Sequence, residues 1–131
     1  MELGGKSPQI VRADADLDLA AKGIASAIFP GGGQSCISGS RLLIHASVID
    51  AFTARLVDIA SKAVVGPPSD PRSTIGPLAN RPHYESVIAK IDAAVAAGHA
   101  LVLDGRTAKR DAGYFVGPTI FANVPNTASL A

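Results

Sequence analysis

The chain has little of what several classes of protein require. It contains one cysteine, and its formal net charge is only +1 over 131 residues. A single cysteine forms no internal disulfide, which favours a reducing, cytoplasmic setting. The near-neutral charge gives no electrostatic reason to expect nucleic acid or an anionic membrane as a partner. Apolar runs are short and interrupted by Gly, Pro or charged residues, so the sequence predicts no membrane-spanning helix.

Metal sites and several common enzyme motifs are also missing from the sequence. The three histidines, His45, His83 and His99, are scattered and form no zinc-ligand spacing with the single cysteine. No serine sits in a G-x-S-x-G elbow, and no G-x-G-x-x-G fingerprint occurs. The glycines at 31–33 follow a helical pattern and lack a subsequent Lys-Ser/Thr pair, which argues against a phosphate-binding P-loop.

What is present is typical of a folded domain. Apolar residues make up 47% of the chain and charged residues 18%, a balance that supports a packed core and excludes compositional disorder. Helical and strand-like periodicities alternate along the chain. The expected strands and strand-like pieces are 9–11, 42–44, 100–103, 114–116 and 119–121. The expected helices are 15–29, capped by Asp14 or Asp16 and with Ala21, Ile24 and Ala25 on its apolar face, a second opened by a capping box of Ser47 and Asp50, and 82–97, with Val95 on its inward face and Gly98 as its C′ residue. This order predicts an α/β layered, open sheet that is at least partly parallel.

Cys36 is the first candidate for chemistry. A thiol acts as a nucleophile when positive charge or backbone N–H groups favour its thiolate. We expect the glycines at 31–33 to present such N–H groups, and the Cys36 N–H to stabilise an oxyanion on the attacked carbon. The alternative is a buried structural cysteine that packs as a small apolar residue.

Glu2 lies 34 positions before Cys36 (36 − 2) and also precedes a pair of glycines. It is either a solvated surface charge or a carboxylate at a strand end that faces a cleft, where it would activate water. A thiol and a carboxylate together provide the nucleophile and the base of a covalent acyl-transfer mechanism.

Five segments carry a resemblance to a known family. They are residues 2–8 (ELGGKSP), 14–20 (DADLDLA), 33–36 with 39–41 (GQSC, GSR), 66–71 with 75–78 (GPPSDP, IGPL) and 113–119 (GYFVGPT). In order and spacing they resemble the NAD(P)-dependent aldehyde dehydrogenases. The first segment resembles the glutamate signature of that family, and the third resembles its cysteine signature.

The resemblance implies a function and a place in a larger fold. It implies that Cys36 attacks an aldehyde, that Glu2 activates the water that hydrolyses the resulting thioester, and that Leu3 and Gly4 contact the nicotinamide end of NAD or NADP. The product is a carboxylic acid, the substrate a small-molecule aldehyde, and the parent enzyme a homo-oligomer. Residues 1–131 would be a partial catalytic domain, without the NAD-binding region and the C-terminal part, and inactive in isolation.

Departures from the family pattern leave other functions open. Glycines at 31–33 replace the Asn-x-Gly that is usual there, and Ile37 and Ser38 replace a pair whose second residue is usually Ala or Gly. The alternatives are a non-catalytic remnant that serves as a binding or oligomerisation module, and a cofactor-free thiol esterase or acyl-transferase. In a truncated sheet we also expect exposed edges and apolar faces.

Overall fold

The computed structural model describes residues 3–108, 110 and 112–131. The elements in chain order are β1 (Pro8–Val11), α1 (Leu17–Ile28), β2 (Arg41–Ile44), α2 (Ile49–Ser61), α3 (Arg81–Ala96), β3 (Ala100–Leu103) and β4 (Ile120–Ala122), with short 3₁₀ turns at Ala46–Val48 and Gly105–Ala108. They group into two compact units, Met1–Lys62 and Ala63–Ala131. Most of the predicted strands and helices are present, within one or two residues of their expected bounds.

The first unit is a β-α-β crossover followed by a helix. β1 and β2 pair in parallel, with Pro8 opposite Arg41 and Val11 opposite Ile44, and α1 connects them. This confirms the predicted α/β class with a parallel sheet. α1 and α2 pack against each other. The buried apolar residues of this unit are Val11, Ala21, Ile24, Ala25, Phe52, Leu56 and Ala60. Small alanines on the facing sides suit close helix packing.

Both ends of α1 are fixed by local hydrogen bonds. At the start, the Asp16 carboxylate accepts from the backbone N–H groups of Asp18 (3.1 Å) and Leu19 (3.0 Å), an N-cap that satisfies two otherwise unpaired donors. At the end, Gly32 donates to the Phe29 carbonyl (2.9 Å) and Gly33 to the Ile28 carbonyl (3.1 Å).

This second pair of bonds is a Schellman motif, and Gly32 occupies its left-handed position with φ of 61°. The expectation that the amides of Gly32 and Gly33 face the Cys36 sulfur is therefore wrong. These amides close the C-terminus of α1 instead.

The start of α2 also differs from the expectation. His45, rather than Ser47, is the capping residue: its Nδ1 accepts from the Ser47 backbone N–H at 3.2 Å and opens the Ala46–Val48 3₁₀ turn. The α2 N-cap is Val48, which makes no side-chain cap hydrogen bond. The capping-box prediction failed because the short 3₁₀ turn takes up the residues that the pattern assigned to the helix.

The second unit contains α3 and an antiparallel pair. The Asn80 side chain caps α3 by accepting from the His83 N–H at 2.9 Å, and Gly98 ends it at φ of 80°, as predicted for this glycine. β3 pairs antiparallel with β4. Residues 114–116 form no strand, so that prediction is wrong, although Phe115 is buried.

The inward face of α3 is also narrower than predicted. It runs through Ile91 and Ala94, whereas Val95 is 41% exposed. The buried stripe thus follows the i, i+3 spacing of Ile91 and Ala94 and leaves Val95 outside it.

A charged cluster joins α3 to the end of β3. Arg106 donates from Nε to Asp104 Oδ1 (2.9 Å) and also contacts the carboxylate of Asp92 on α3. The hydrogen bonds from Arg106 lower the pKa of Asp104. A separate surface pair acts in the same direction, since the Arg72 guanidinium lowers the pKa of Asp70.

One face of the β1–β2 pair is apolar and exposed. Ile10 and Leu43 lie opposite each other in the parallel register and are 72% and 43% exposed. This agrees with the exposed apolar face expected of a truncated sheet. Within the described residues, no helix is both long and apolar enough to cross a membrane.

Candidate active site

The two signature segments meet at one edge of the first unit. Residues 3–7 lead into β1, and residues 33–40 lead into β2. Because the strands are parallel, their amino ends lie side by side, and so do the segments that precede them. Ligands in open α/β sheets usually bind at the carboxyl ends of the strands. Here the predicted catalytic segments lie at the opposite, amino-terminal edge.

Gly5 brings the glutamate segment into contact with the cysteine. A Cβ placed on Gly5 would overlap the backbone carbonyl oxygen of Cys36, so any larger residue would displace one of the two segments. The φ angle of Gly5 is not in the left-handed region, and the need for glycine is therefore purely steric. The glutamate segment therefore contacts the backbone of the cysteine itself.

Three further hydrogen bonds connect residues 6–9 with residues 39–41. Arg41 donates from Nε to the Lys6 carbonyl (3.0 Å), and its backbone N–H donates to the Ser7 carbonyl (3.3 Å). Gln9 donates from Nε2 to the Gly39 carbonyl (2.9 Å) across 30 residues of sequence. Arg41 belongs to the cysteine signature segment, whereas no sequence motif indicated the link from Gln9.

Cys36 lies in an exposed turn that ends at the buried Ser38. The Ser38 N–H donates to the Ser35 carbonyl at 3.0 Å, which closes the turn around the cysteine. Ser38 is 6% exposed, whereas Ile37 is 81% exposed. Cys36 itself is a free, exposed thiol, which contradicts the alternative of a buried structural cysteine. Among the described residues, no backbone carbonyl accepts the Cys36 amide proton.

The two predicted cofactor-binding residues are open to solvent. Leu3 is 67% exposed, and nothing lies within 4 Å of the position of a Cβ on Gly4. They form accessible surface next to Gly5 and hence next to Cys36. Glu2, the predicted base, lies outside the described residues.

Metal-binding side chains do not gather in the part of this edge that the structure describes. In the ranges that the structure describes, no three His, Cys, Asp or Glu residues are grouped so as to hold a metal ion. His45 uses its Nδ1 in local contacts with Ser47.

Comparison with known proteins identifies relatives of the whole chain. The model of the aldehyde dehydrogenase family matches residues 1–131. A probable betaine aldehyde dehydrogenase of Schizosaccharomyces pombe is 41% identical over 124 residues, covering 95% of this chain and 25% of that protein. Retinal dehydrogenase 2 of Homo sapiens is 39% identical over 131 residues, covering 100% of this chain and 25% of that protein.

Solved structures agree with the sequence relatives. The NAD-dependent aldehyde dehydrogenase from Sinorhizobium meliloti superposes with a TM-score of 0.90 at 44% identity, over 98% of this chain and 26% of that one. Succinate-semialdehyde dehydrogenase from Burkholderia pseudomallei gives a TM-score of 0.88 at 34% identity, over 99% of this chain and 27% of that one. The chain thus spans about 25% of the length of these relatives. With its two signature segments in contact and the family match running from end to end, the chain belongs to the aldehyde dehydrogenase family.

Proposed function

We propose that this chain supplies the nucleophile and the base of an NAD(P)-dependent aldehyde dehydrogenase that oxidises an aldehyde to a carboxylic acid. It would form part of the catalytic domain of that enzyme. The observation that carries the proposal is the contact of Gly5 with the backbone of the exposed Cys36, which joins the glutamate and cysteine segments at one edge. The named relatives act on chemically diverse aldehydes, so the proposal extends to aldehydes as a class.

Cys36 would begin the reaction by attack of its thiolate on the aldehyde carbon. The carbonyl oxygen becomes an oxyanion, and the Cys36 amide is suited to stabilise it, since no backbone carbonyl in the described part of the chain accepts its proton. The product is a thiohemiacetal bonded to the sulfur. The exposed turn gives the aldehyde access, and the buried Ser38 restrains the end of the turn.

Oxidation of the thiohemiacetal removes a hydride from its carbon and leaves a thioester on Cys36. Bound NAD(P)⁺ supplies the acceptor for that hydride. The residues present fit the nicotinamide end of such a cofactor, because Leu3 and Gly4 leave an open surface beside the Gly5 contact with Cys36. Leu3 would offer an apolar surface, and Gly4 would let the cofactor approach the backbone closely.

Glu2 would complete the cycle as general base. It would take a proton from a water molecule that attacks the thioester, which releases the carboxylic acid and regenerates the thiol. Its place directly before Leu3 in the sequence supports this role. A homo-oligomeric assembly and a cytoplasmic location of the complete protein belong to the same proposal. They rest on the family membership and the single cysteine.

The test is acylation of the purified chain by p-nitrophenyl acetate, followed by intact-mass measurement. We expect one acetyl adduct in the wild-type chain, none in Cys36→Ala, and a longer-lived adduct in Glu2→Gln because deacylation loses its base. Ser35→Ala is the matched control, since it alters a neighbouring nucleophile and should keep the adduct.

Two outcomes would contradict the proposal. A folded chain that forms no adduct at Cys36 would show that the nucleophile is not assembled, and an equal adduct lifetime in Glu2→Gln would remove the role of the base. Rapid catalytic ester turnover by the chain would favour the thiol-esterase alternative. Because the chain spans about 25% of the length of its relatives, we expect no NADH formation from an aldehyde by these 131 residues alone.

A further inference from the structure

We infer that Gln9 is a positioning residue for the loop that carries Cys36, acting through an interlock with Gly39. The inference deepens the proposed function, on which its catalytic consequence rests. Gln9 lies on β1, 27 positions before the cysteine (36 − 9), and does not belong to either signature segment.

Two observations define the interlock. The Gln9 Nε2 donates to the Gly39 carbonyl at 2.9 Å in a partly buried setting. The space that a side chain on Gly39 would need is occupied by the Gln9 side chain: a Cβ there would overlap its Cγ, Cδ and Nε2. Gly39 does not have a left-handed φ, so the nearest obstacle to a larger residue there is the Gln9 side chain, which would have to move.

The interlock connects directly to the nucleophile. Gly39 follows the buried Ser38, whose N–H closes the turn around Cys36 by donating to Ser35 at 3.0 Å. Gly5 also packs against the turn, since a Cβ on it would overlap the Cys36 carbonyl oxygen. Loss of the Gln9 bond would free the Gly39 end of this short turn and let the Cys36 amide rotate. Oxyanion stabilisation depends on the direction of that amide, so a small rotation reduces acylation more than it reduces exposure of the sulfur.

The test compares two reactions of the single cysteine in the full chain. Alkylation by iodoacetamide needs an accessible thiolate, whereas acylation by p-nitrophenyl acetate also needs the oxyanion-stabilising amide. The informative quantity is the ratio of the two rates, measured by intact mass. Urea unfolding in parallel reports whether each variant is folded, so a general loss of stability is separated from misplacement of the amide.

Gln9→Glu keeps the length of the side chain but removes its N–H donor. We expect its acylation-to-alkylation ratio to fall about tenfold, below the about 100-fold loss typical when an oxyanion donor is deleted, because the amide is misplaced rather than removed. Gly23→Ala is the control: the added methyl lies on α1, outside the cysteine loop, and meets no described atom within 4 Å, so the ratio should equal that of the wild type.

A suppressor pair tests the interlock independently of acylation. Gly39→Ala should change the alkylation rate of Cys36 about fivefold, and adding Gln9→Ala should return it to within about twofold of wild type by relieving the overlap. If the wild-type chain forms no acyl adduct, the proposed function fails while this pair still tests the interlock. Wild-type rates in both Gln9→Glu and Gly39→Ala, or a double variant no closer to wild type than Gly39→Ala, would overturn the inference.

Discussion

The contact between Gly5 and Cys36 makes a specific prediction for Gly5→Ala. The added methyl would overlap the Cys36 carbonyl oxygen, a backbone atom that cannot rotate away as a side chain can. Overpacking of this kind costs about 1–3 kcal/mol. The alanine also reduces the conformational entropy of the unfolded chain, which offsets about 0.4–1 kcal/mol of that cost. We therefore expect a net loss of about 1–2 kcal/mol in the free energy of unfolding.

The same displacement should appear at the thiol. Moving the Cys36 carbonyl moves the turn from Ser35 to Ser38, so the iodoacetamide rate of Gly5→Ala should differ from that of the wild type. Gly4→Ala is the stability control, because a Cβ on the neighbouring residue meets nothing within 4 Å. It should be as stable as the wild type or slightly more stable.

Urea denaturation of Gly4→Ala, Gly5→Ala and the wild type measures the free energy of unfolding. Intact-mass kinetics measures the rate at which iodoacetamide alkylates Cys36. Equal stability of Gly5→Ala and Gly4→Ala, together with an unchanged rate at the thiol, would refute the contact between the two segments. A loss of stability in Gly4→Ala as large as in Gly5→Ala would show that the site is intolerant for a reason other than this contact.

Three further predictions concern the framework. Phe52→Ala empties a fully buried position in α2 and should lower the free energy of unfolding by about 3–5 kcal/mol in urea titrations; a loss below about 1 kcal/mol would contradict the described core. Gly32→Ala places a side chain at φ of 61° and should lower the free energy of unfolding by about 1 kcal/mol, whereas Gly31→Ala should be as stable as the wild type. Equal stabilities of the two variants would contradict the Schellman motif at the end of α1. Arg106 lowers the pKa of Asp104, so this carboxylate stabilises the folded state above its unfolded pKa of about 3.9 and loses that effect as pH falls through the lower folded value. The stability difference between the wild type and Asp104→Asn should thus be present at pH 7 and shrink on acidification below about pH 4; a pH-independent difference would contradict this assignment.

The predictable part of the fold came from local rules. An aspartate cap on α1, the helical spacing of Ala21, Ile24 and Ala25, and Gly98 as a helix stop each depend on neighbours within one or two turns, and the structure confirms them, with Asp16 rather than Asp14 as the cap. The contacts between Gly5 and Cys36 and between Gln9 and Gly39 depend on strand register. Register depends on which strand faces are buried, and β1 and β2 are joined by a helix rather than by a short turn that would fix it locally.

The wrong predictions for residues 31–33 and 114–116 also concern contacts that the local sequence does not determine. The Gly31–Gly33 run has two possible uses, as amide donors to a thiol or as a helix stop, and composition does not separate them. The hydrogen bonds of Gly32 and Gly33 to the end of α1 decide for the helix stop. Residues 114–116 are Tyr, Phe and Val, which favour strands, but within the described residues β3 pairs with β4, and the backbone bond from the Leu78 N–H to the Tyr114 carbonyl does not extend into a strand ladder.

The parallel pairing of β1 and β2 also bears on how the site forms in time. Each pair in the register is 33 residues apart (41 − 8), and the whole of α1 lies between the partners. Bringing two strands together over this separation lowers the chain entropy before the stabilising contacts between them form. Pairing of β1 with β2 is therefore slow relative to formation of α1 itself. Gly5 and Gln9 can reach the cysteine loop only after that closure. During refolding, the reactivity of Cys36 should reach its native value with the late, cooperative phase of the first unit, which makes the single thiol a kinetic probe of topology as well as a nucleophile.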